Sequence, residues 1–316
     1  MDRVLVTGAT GFLGKSVVER LLGAGHPVNM AGRHMPQASL GKAVLPFAVG
    51  AIGANTDWRA ALEGCRSVVH LAAQLPAAVP DSAFVETNDR GTQALVRQAR
   101  EAGVSTIVFV SSVFVVSGHS SPRPITDDDP PAPQTIYART KLAGEEHVRG
   151  FASLGGTGIV LRVPIIYGAR ARGNWSQLQR LAATGAPLPF AAVTNRRTMV
   201  ARENLADAIV HLISAERMPL VSGSFLLSDG APVSLSEILR SLRDGMGLPH
   251  RLFRVHPAVL SVALRALGRG SMAESLLGDL EVDSTRFCRT FGWSPPISPH
   301  EAILRSGREF LSHDGR

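Results

Sequence analysis

The chain has 316 residues, 45% of them hydrophobic and 19% charged, enough to bury one large core or two unequal ones and too apolar to stay disordered. Its formal charge of +7 invites nucleic acid, but the arginines are scattered singly and aromatic residues make up 5%; that argues against nucleic acid and leaves a mild field suited to an anionic small molecule. Cys65, Cys288 and the ten histidines show no ligand spacing, so no metal site is expected and both thiols read as apolar residues in a reducing compartment.

The opening MDRVLVTGATG reads as a strand from residue 3, with no room for a signal peptide, and no apolar run reaches the length of a membrane span. A cytoplasmic protein without stable membrane insertion is the expectation. Strands are expected at Val4–Thr7, Val28–Ala31, Leu45–Val49, Ser67–Ala72, Thr106–Ser111 and Gly158–Val163, and helices near Leu13–Gly23, Asp57–Leu62, Val85–Ala102 and Ile136–Ser153. This alternation predicts an α/β fold with a doubly wound parallel sheet. After Tyr167, Gly, Pro and Arg become frequent through 168–197. A helix near Asn204–Ala215, a strand near Ser224–Ser228 and a mainly helical tail follow. The expected division is a nucleotide domain over 1–168, rejoined by 198–228, and a smaller, mainly helical substrate domain from 169–197 and 229–316. Pro257–Leu267 is apolar enough for a membrane-surface helix, though a substrate-domain helix with one buried face is the plainer reading.

TGATGFLG sets Gly8, Gly11 and Gly14 at three-residue spacing between the first strand and the first helix. Such glycines permit a sharp turn, close approach of backbone to a pyrophosphate, and tight helix–strand packing, and the helix N-terminus attracts the phosphates. The second strand ends in Gly32 and Arg33, with no acid between Gly25 and Gln37. The carboxylate that would bond the ribose hydroxyls of NAD(H) is missing, and a guanidinium can accept a 2′-phosphate, so NADP(H) is favoured, with NAD(H) still open. Arg33 stacked on adenine is the alternative.

In IYARTK, Tyr137 and Lys141 stand four apart on one helix face. The chain has two tyrosines, and thirty of its thirty-three basic residues are arginine, so chance would supply a Tyr-x-x-x-Lys only about 0.02 times. A compact ammonium beside a phenol is expected to depress the phenol's pKa, which a wide guanidinium fork does less well.

With the glycine loop, HLAA at 70–73, Asn88 in TNDRGT, FVSS at 109–112 and YARTK in order, the chain resembles the extended short-chain dehydrogenase/reductases, in their nucleotide-sugar epimerase, dehydratase and reductase branch. LRVPIIYGARARGNW, GAPLPF, NRRTMVARENLADAI, SFLLSDG and LEVDSTRF…FGWSPP extend the likeness nearly to the C-terminus. It is similar to UDP-N-acetylhexosamine 4-epimerases and to reductases of UDP-4-keto-6-deoxy-N-acetylhexosamine in surface-polysaccharide assembly. The resemblance implies Tyr137 as proton donor or acceptor at the sugar C4 oxygen, Lys141 as its electrostatic partner and ribose ligand, and a serine of the Ser111–Ser112 pair on the same oxygen. It implies a cofactor lining of Gly8, Thr10, Gly11, Phe12, Leu13, Gly14, Arg33, Leu71, Ala72, Ala73, Asn88 and Pro164 beside Tyr137 and Lys141. Ser112, Val113, Asn174 and Arg197 fall on substrate positions, the last two at the UDP portion; a helix cap and a surface charge are their plainer alternatives. Family members often pair through two helices, so a homodimer stays open.

Two features depart from the family pattern. SSVFVVSG is one residue longer than usual, so Ser112 or Val113 takes the hydroxyl position depending on register, and the strand favours Ser112. Ala51 replaces an acid that would bond adenine. His119 reads as a loop residue, Asp127–Asp129 as the cap region before the catalytic helix rather than a metal site, and Trp175 and Trp293 as packing residues of the second domain. The expected activity is NADPH-dependent reduction of the 4-keto group of a UDP-4-keto-6-deoxy-(N-acetyl)hexosamine. The rivals are a UDP-hexose or UDP-N-acetylhexosamine 4-epimerase with bound NAD, and a non-catalytic nucleotide-sensing protein on the same fold.

Overall fold

The computed structural model describes residues 2–35, 41–171, 173–214 and 220–314. The strands are β1 (Arg3–Thr7), β2 (Val28–Gly32), β3 (Val44–Ala48), β4 (Cys65–His70), β5 (Thr106–Ser112), β6 (Thr157–Val163), β7 (Ile166–Tyr167), β8 (Val200–Ala201) and β9 (Gly223–Leu226). Seven of them form one sheet in the order β3-β2-β1-β4-β5-β6-β9, and every pair in it is parallel. The six expected strands are present, and the strand expected near Ser224 adds the seventh. β7 and β8 pair with each other outside this sheet.

The strands are nearly continuous Val, Leu and Ile runs because both faces are covered. Helices Phe12–Gly23 and Arg202–Ile213 bury Val17, Leu21, Leu205 and Ile209 on one face. Trp58, Leu95, Ala99, Val148 and Phe151 cover the other. The strand order reverses between β1 and β4, which opens a crevice at their C-terminal ends, where such sheets bind ligands. Within the described residues the helix expected to reach Ala215 ends at Ile213; Ala215 itself lies outside them.

A third core joins Trp175, Leu188, Leu235, Leu239, Leu242 and Ile303. Trp175 is the packing residue expected, its Nε1 donating to Ser306 Oγ at 3.0 Å. Trp293 departs from expectation. It packs against Phe287 in the core that covers the sheet and donates to Asp207 at 3.0 Å.

Three local readings are corrected. The helix expected over 85–102 is α-helical at Asp81–Phe84, π-helical at Val85–Arg90 and α-helical again at Gly91–Glu101. Asp127–Asp129 does not cap the catalytic helix: Thr135 does, accepting from Ala138 N at 3.2 Å, because the intervening prolines delay the helix to Ile136. Asp127 instead accepts from Leu226 N at 2.7 Å, and Asp129 from Thr126 N at 2.7 Å and from Arg123. Helix Pro257–Ala266 has the expected inward face only in weakened form: Leu260 packs on the third core, but no residue of the helix is fully buried. Among the described residues no helix is long and apolar enough to cross a membrane, and no His/Cys/Asp/Glu group could hold a metal ion.

Candidate active site

The phosphate loop has the geometry its glycines predict. Gly8 sits at φ +67°, where L side chains are strained, and a Cβ there would press on Ala72 N at 3.0 Å. A Cβ on Gly14 would meet Gly8 O at 2.2 Å, so the helix reaches the loop backbone only because Gly14 lacks a side chain. No side chain caps helix Phe12–Gly23, whose N-cap is Gly11, so its first-turn amides are available to an anion. The cradle therefore fits a dinucleotide pyrophosphate. Thr10 Oγ1 lies 3.6 Å from where a Cβ of Gly32 would stand, which brings the end of β2 to the loop. Arg33 follows there, exposed, without a hydrogen bond or ion pair to a described residue. Ala51 is exposed nearby in sequence after β3, and Pro164 is buried just after β6.

The parallel register sets Thr7 beside His70, and a buried chain of hydrogen bonds starts there. Thr92 donates to Asn88 O at 2.7 Å, so its oxygen accepts from His70 Nε2 at 2.9 Å. That leaves His70 Nδ1 to accept from Thr7 Oγ1 at 2.7 Å, while Thr7 accepts from Leu71 N and Ala72 N, both at 3.2 Å. Every member is satisfied in one direction only, which assigns His70 the neutral Nε2–H tautomer. Burial, with Lys141 nearby, pushes its pKa down to about 3. The chain ties β1, the 71–73 loop and the π-helix together. Asn88 completes the tie. Its Oδ1 accepts from Gln74 N at 2.7 Å, and its Nδ2 donates to Gln74 O at 3.0 Å and to Thr140 Oγ1 on the catalytic helix at 3.2 Å.

Ser112 ends β5, and Tyr137 and Lys141 lie in the first two turns of helix Ile136–Ser153. Tyr137 is half-buried; burial pushes its phenol up to about 12, and a hydrogen bond with Ser112 pulls it back. Lys141 is buried. Its ammonium donates to Val110 O at 2.6 Å and lies 4.0 Å from the centre of the Phe109 ring. Desolvation brings it down to about 7, with Glu145 opposing. The depression of the phenol expected from Lys141 is absent: burial raises the Tyr137 pKa and only Ser112 lowers it.

The serine register resolves on the same strand. β5 pairs Ser111 with Arg162 of β6, and Ser111 Oγ donates to Glu145 at 2.6 Å. Glu145 is fully buried and bound by Arg162 at 2.7 Å. Ser111 thus faces this ion pair, and the alternation of the strand turns Ser112 toward Tyr137. Val113 is buried in an apolar cluster with Val115, Leu280 and Val282, so it offers no hydroxyl and little surface.

Arg197 is largely enclosed, donating to Gly278 O at 2.8 Å and His119 O at 3.2 Å; burial brings it down to about 10. It is no surface charge, and it anchors the loop carrying His119. Asn174 opens helix Asn174–Ala183, exposed, while Gly173 is the N-cap, so the capping alternative fails. Sequence reasoning missed Thr7, His70, Thr92, Thr140, Glu145 and Arg162. Only Glu145, four residues beyond Lys141, carried a readable spacing.

Residues 4–221 match the family described as NAD dependent epimerase/dehydratase family. A UDP-glucose 4-epimerase of Vibrio cholerae is 32% identical, over 99% of this chain and 97% of its own length. The structure of a UDP-N-acetylglucosamine 4-epimerase from Bacillus cereus superposes with a TM-score of 0.77 at 23% identity, covering 98% of this chain and 99% of that one. A UDP-glucuronic acid 4-epimerase from Bacillus cereus in complex with NAD gives a TM-score of 0.78 at 18% identity, with 98% of both chains covered. The chain belongs to the NAD dependent epimerase/dehydratase family and is an enzyme of the extended short-chain dehydrogenase/reductases.

Proposed function

We propose that this enzyme acts at C4 of a UDP-linked hexose, with Tyr137 exchanging the proton at the C4 oxygen, and that its main direction is reduction of a 4-keto group with NADPH. What supports the reading is the hydrogen bond between Ser112 and Tyr137, with Lys141 one helical turn further on, in a chain whose glycine loop fits a dinucleotide. A bound nicotinamide dinucleotide supplies hydride or takes it up. Gly8, Thr10, Gly11, Phe12, Leu13 and Gly14 would hold its pyrophosphate, and Leu71, Ala72, Ala73 and Pro164 would line it.

Burial keeps Tyr137 neutral, with a pKa of about 12, which suits donation to an oxygen on which negative charge develops. Ser112 holds that oxygen and the phenol in line. Lys141, near 7, is poised between charged and neutral at physiological pH; its ammonium steadies the phenolate left behind. Arg197 and Asn174 would face the diphosphate and uridine, where a guanidinium makes charge-assisted bonds. Arg33, exposed and without a described partner, would take the 2′-phosphate.

The second reading is a UDP-hexose 4-epimerase with retained NAD, favoured by the full-length likeness to the Vibrio cholerae UDP-glucose 4-epimerase. Denaturing the purified protein and identifying the released nucleotide separates the two. Stoichiometric NAD⁺ rejects the reductase; an empty protein that binds NADPH far better than NADH rejects the epimerase. Arg33→Ala should weaken NADPH much more than NADH, and equal losses would remove Arg33 from the phosphate site.

A further inference from the structure

Helix Pro257–Ala266 and the shorter helix Gly270–Leu277 pack on each other as a hairpin on the outer side of the third core. Val259, Val262, Ala263 and Ala266 follow an i, i+3, i+4, i+7 spacing, share one face and are exposed. Val259 is 60% exposed, Val262 68% and Leu267 72%, with Phe253 at 48% just before the helix. The opposite side of the helix, through Leu260, rests on the third core. The hairpin is not a loose end: Leu188 N donates to Arg251 O at 3.0 Å and Phe253 N to Leu188 O at 2.9 Å.

The charge around this face is one-sided. From Arg251 to Leu277, the end of the hairpin, there are four arginines, Arg251, Arg254, Arg265 and Arg269, against one acid, the exposed Glu274 of the second helix. None of the four side chains has an ion pair or hydrogen bond with a described residue. Single exposed apolar residues need no explanation, but a ridge of them with four arginines and one acid around it does. We propose that this hairpin docks on an anionic lipid surface, its Val259–Val262–Leu267 ridge entering the headgroup boundary and its arginines meeting lipid phosphates.

Geometry and charge select this occupant. The helix has 10 residues, about 15 Å of length, half of what a span needs. A second copy packed face to face would set these four arginines against four more. A lipid boundary deforms to admit an exposed ridge of this kind, whereas a rigid protein partner would need a groove shaped to it. Arginine stems can lie along the apolar boundary while their heads reach phosphate. This inference rests on none of the catalytic assignments.

The test is co-sedimentation of the full chain with vesicles of phosphatidylcholine alone and of phosphatidylcholine mixed with phosphatidylglycerol, at low and high salt. Binding should favour the anionic vesicles about tenfold or more and weaken with salt. Val262→Asp with Leu267→Asp should abolish it, and Arg265→Gln and Arg269→Gln should each lower it roughly fivefold. All four positions are exposed, so melting temperature and cofactor affinity should stay at wild-type values. Equal binding to both vesicle types, or variants that bind as wild type, overturns the proposal. So does a chain that ignores vesicles but forms a dimer that Val262→Asp dissociates, since a second copy then covers the face.

Discussion

His70 makes a quantitative prediction about acid stability. Its pKa is about 3 in the folded chain against 6.5 for the free side chain, so the unfolded chain takes up the proton first. Stability contributed by the neutral imidazole is complete above pH 6.5 and is lost progressively as pH falls toward 3. At about 1.4 kcal/mol per unit, the full gap sets an upper limit of about 5 kcal/mol, and about 2 kcal/mol is gone by pH 5. Other groups titrate in the same window. Asp229, raised to about 6 by burial, works in the opposite sense, so the measurement has to be differential. His70→Gln keeps a donor and an acceptor between Thr7 and Thr92 but cannot be protonated. In urea unfolding of the cofactor-free proteins, the variant should start about 1–3 kcal/mol less stable at pH 7, from imperfect hydrogen bonds. It should then lose about 2 kcal/mol less than wild type on going to pH 5. Parallel losses between pH 7 and 5 would refute the buried neutral imidazole and the directed chain built on it.

Glu145→Gln leaves Arg162 buried without its counter-charge, at a cost of about 3–5 kcal/mol. It also removes the charge that holds the Lys141 pKa up, so the high-pH limb of kcat/KM should move to lower pH; an unmoved limb would detach Glu145 from Lys141. Ser112→Ala should lower kcat about 100-fold, whereas Ser111→Ala should cost about 1 kcal/mol of stability with kcat nearly unchanged. The reverse pattern would put the catalytic hydroxyl on Ser111. Tyr167 donates to Asp229 Oδ2 at 2.8 Å in the core, so Tyr167→Phe should cost about 1.5–3 kcal/mol at pH 7 by urea unfolding. The lost bond stabilises the ionised carboxylate, so the deficit should shrink below pH 6; a deficit independent of pH would mean that packing, not the hydrogen bond, was lost.

The parts legible in the sequence are those written locally. The glycine loop, the Tyr137–Lys141 spacing and the buried strands each follow from residues within a few positions of one another, and the structure has them where expected. What sequence reasoning could not reach depends on register and distance. Strand alternation says that only one of Ser111 and Ser112 meets Tyr137, but the choice waits on Glu145 and Arg162 arriving from the catalytic helix and β6. The partnership of Thr7 and His70 spans 63 residues and exists only because β1 and β4 are neighbours. The π-helical stretch shifts Asn88 relative to an α-helical path, and VETNDR carries no breaker that would announce it. Helix Pro257–Ala266 was half legible: its apolar content does supply an inward face through Leu260, but Val259, Val262, Ala263 and Ala266 lie exposed on another.

The catalytic groups do not by themselves choose between reductase and epimerase, because a phenol that returns a proton to C4–O in one turnover can take it in the next. The difference lies in whether the oxidised cofactor leaves. Retention depends on the adenosine end, and there this chain lacks both carboxylates that would grip it: β2 ends in Gly32 and Arg33, and Ala51 stands after β3. One charge-assisted bond to a ribose hydroxyl contributes about 1.5–3 kcal/mol, so its absence loosens NAD by about 10- to 150-fold. For NADP the proposed site would offer the Arg33 guanidinium against a dianionic phosphate. An adenosine site that held NAD weakly and admitted NADPH would suit an enzyme that exchanges its cofactor each turnover, so the reductase reading proposed above stands or falls with Arg33 rather than with Tyr137.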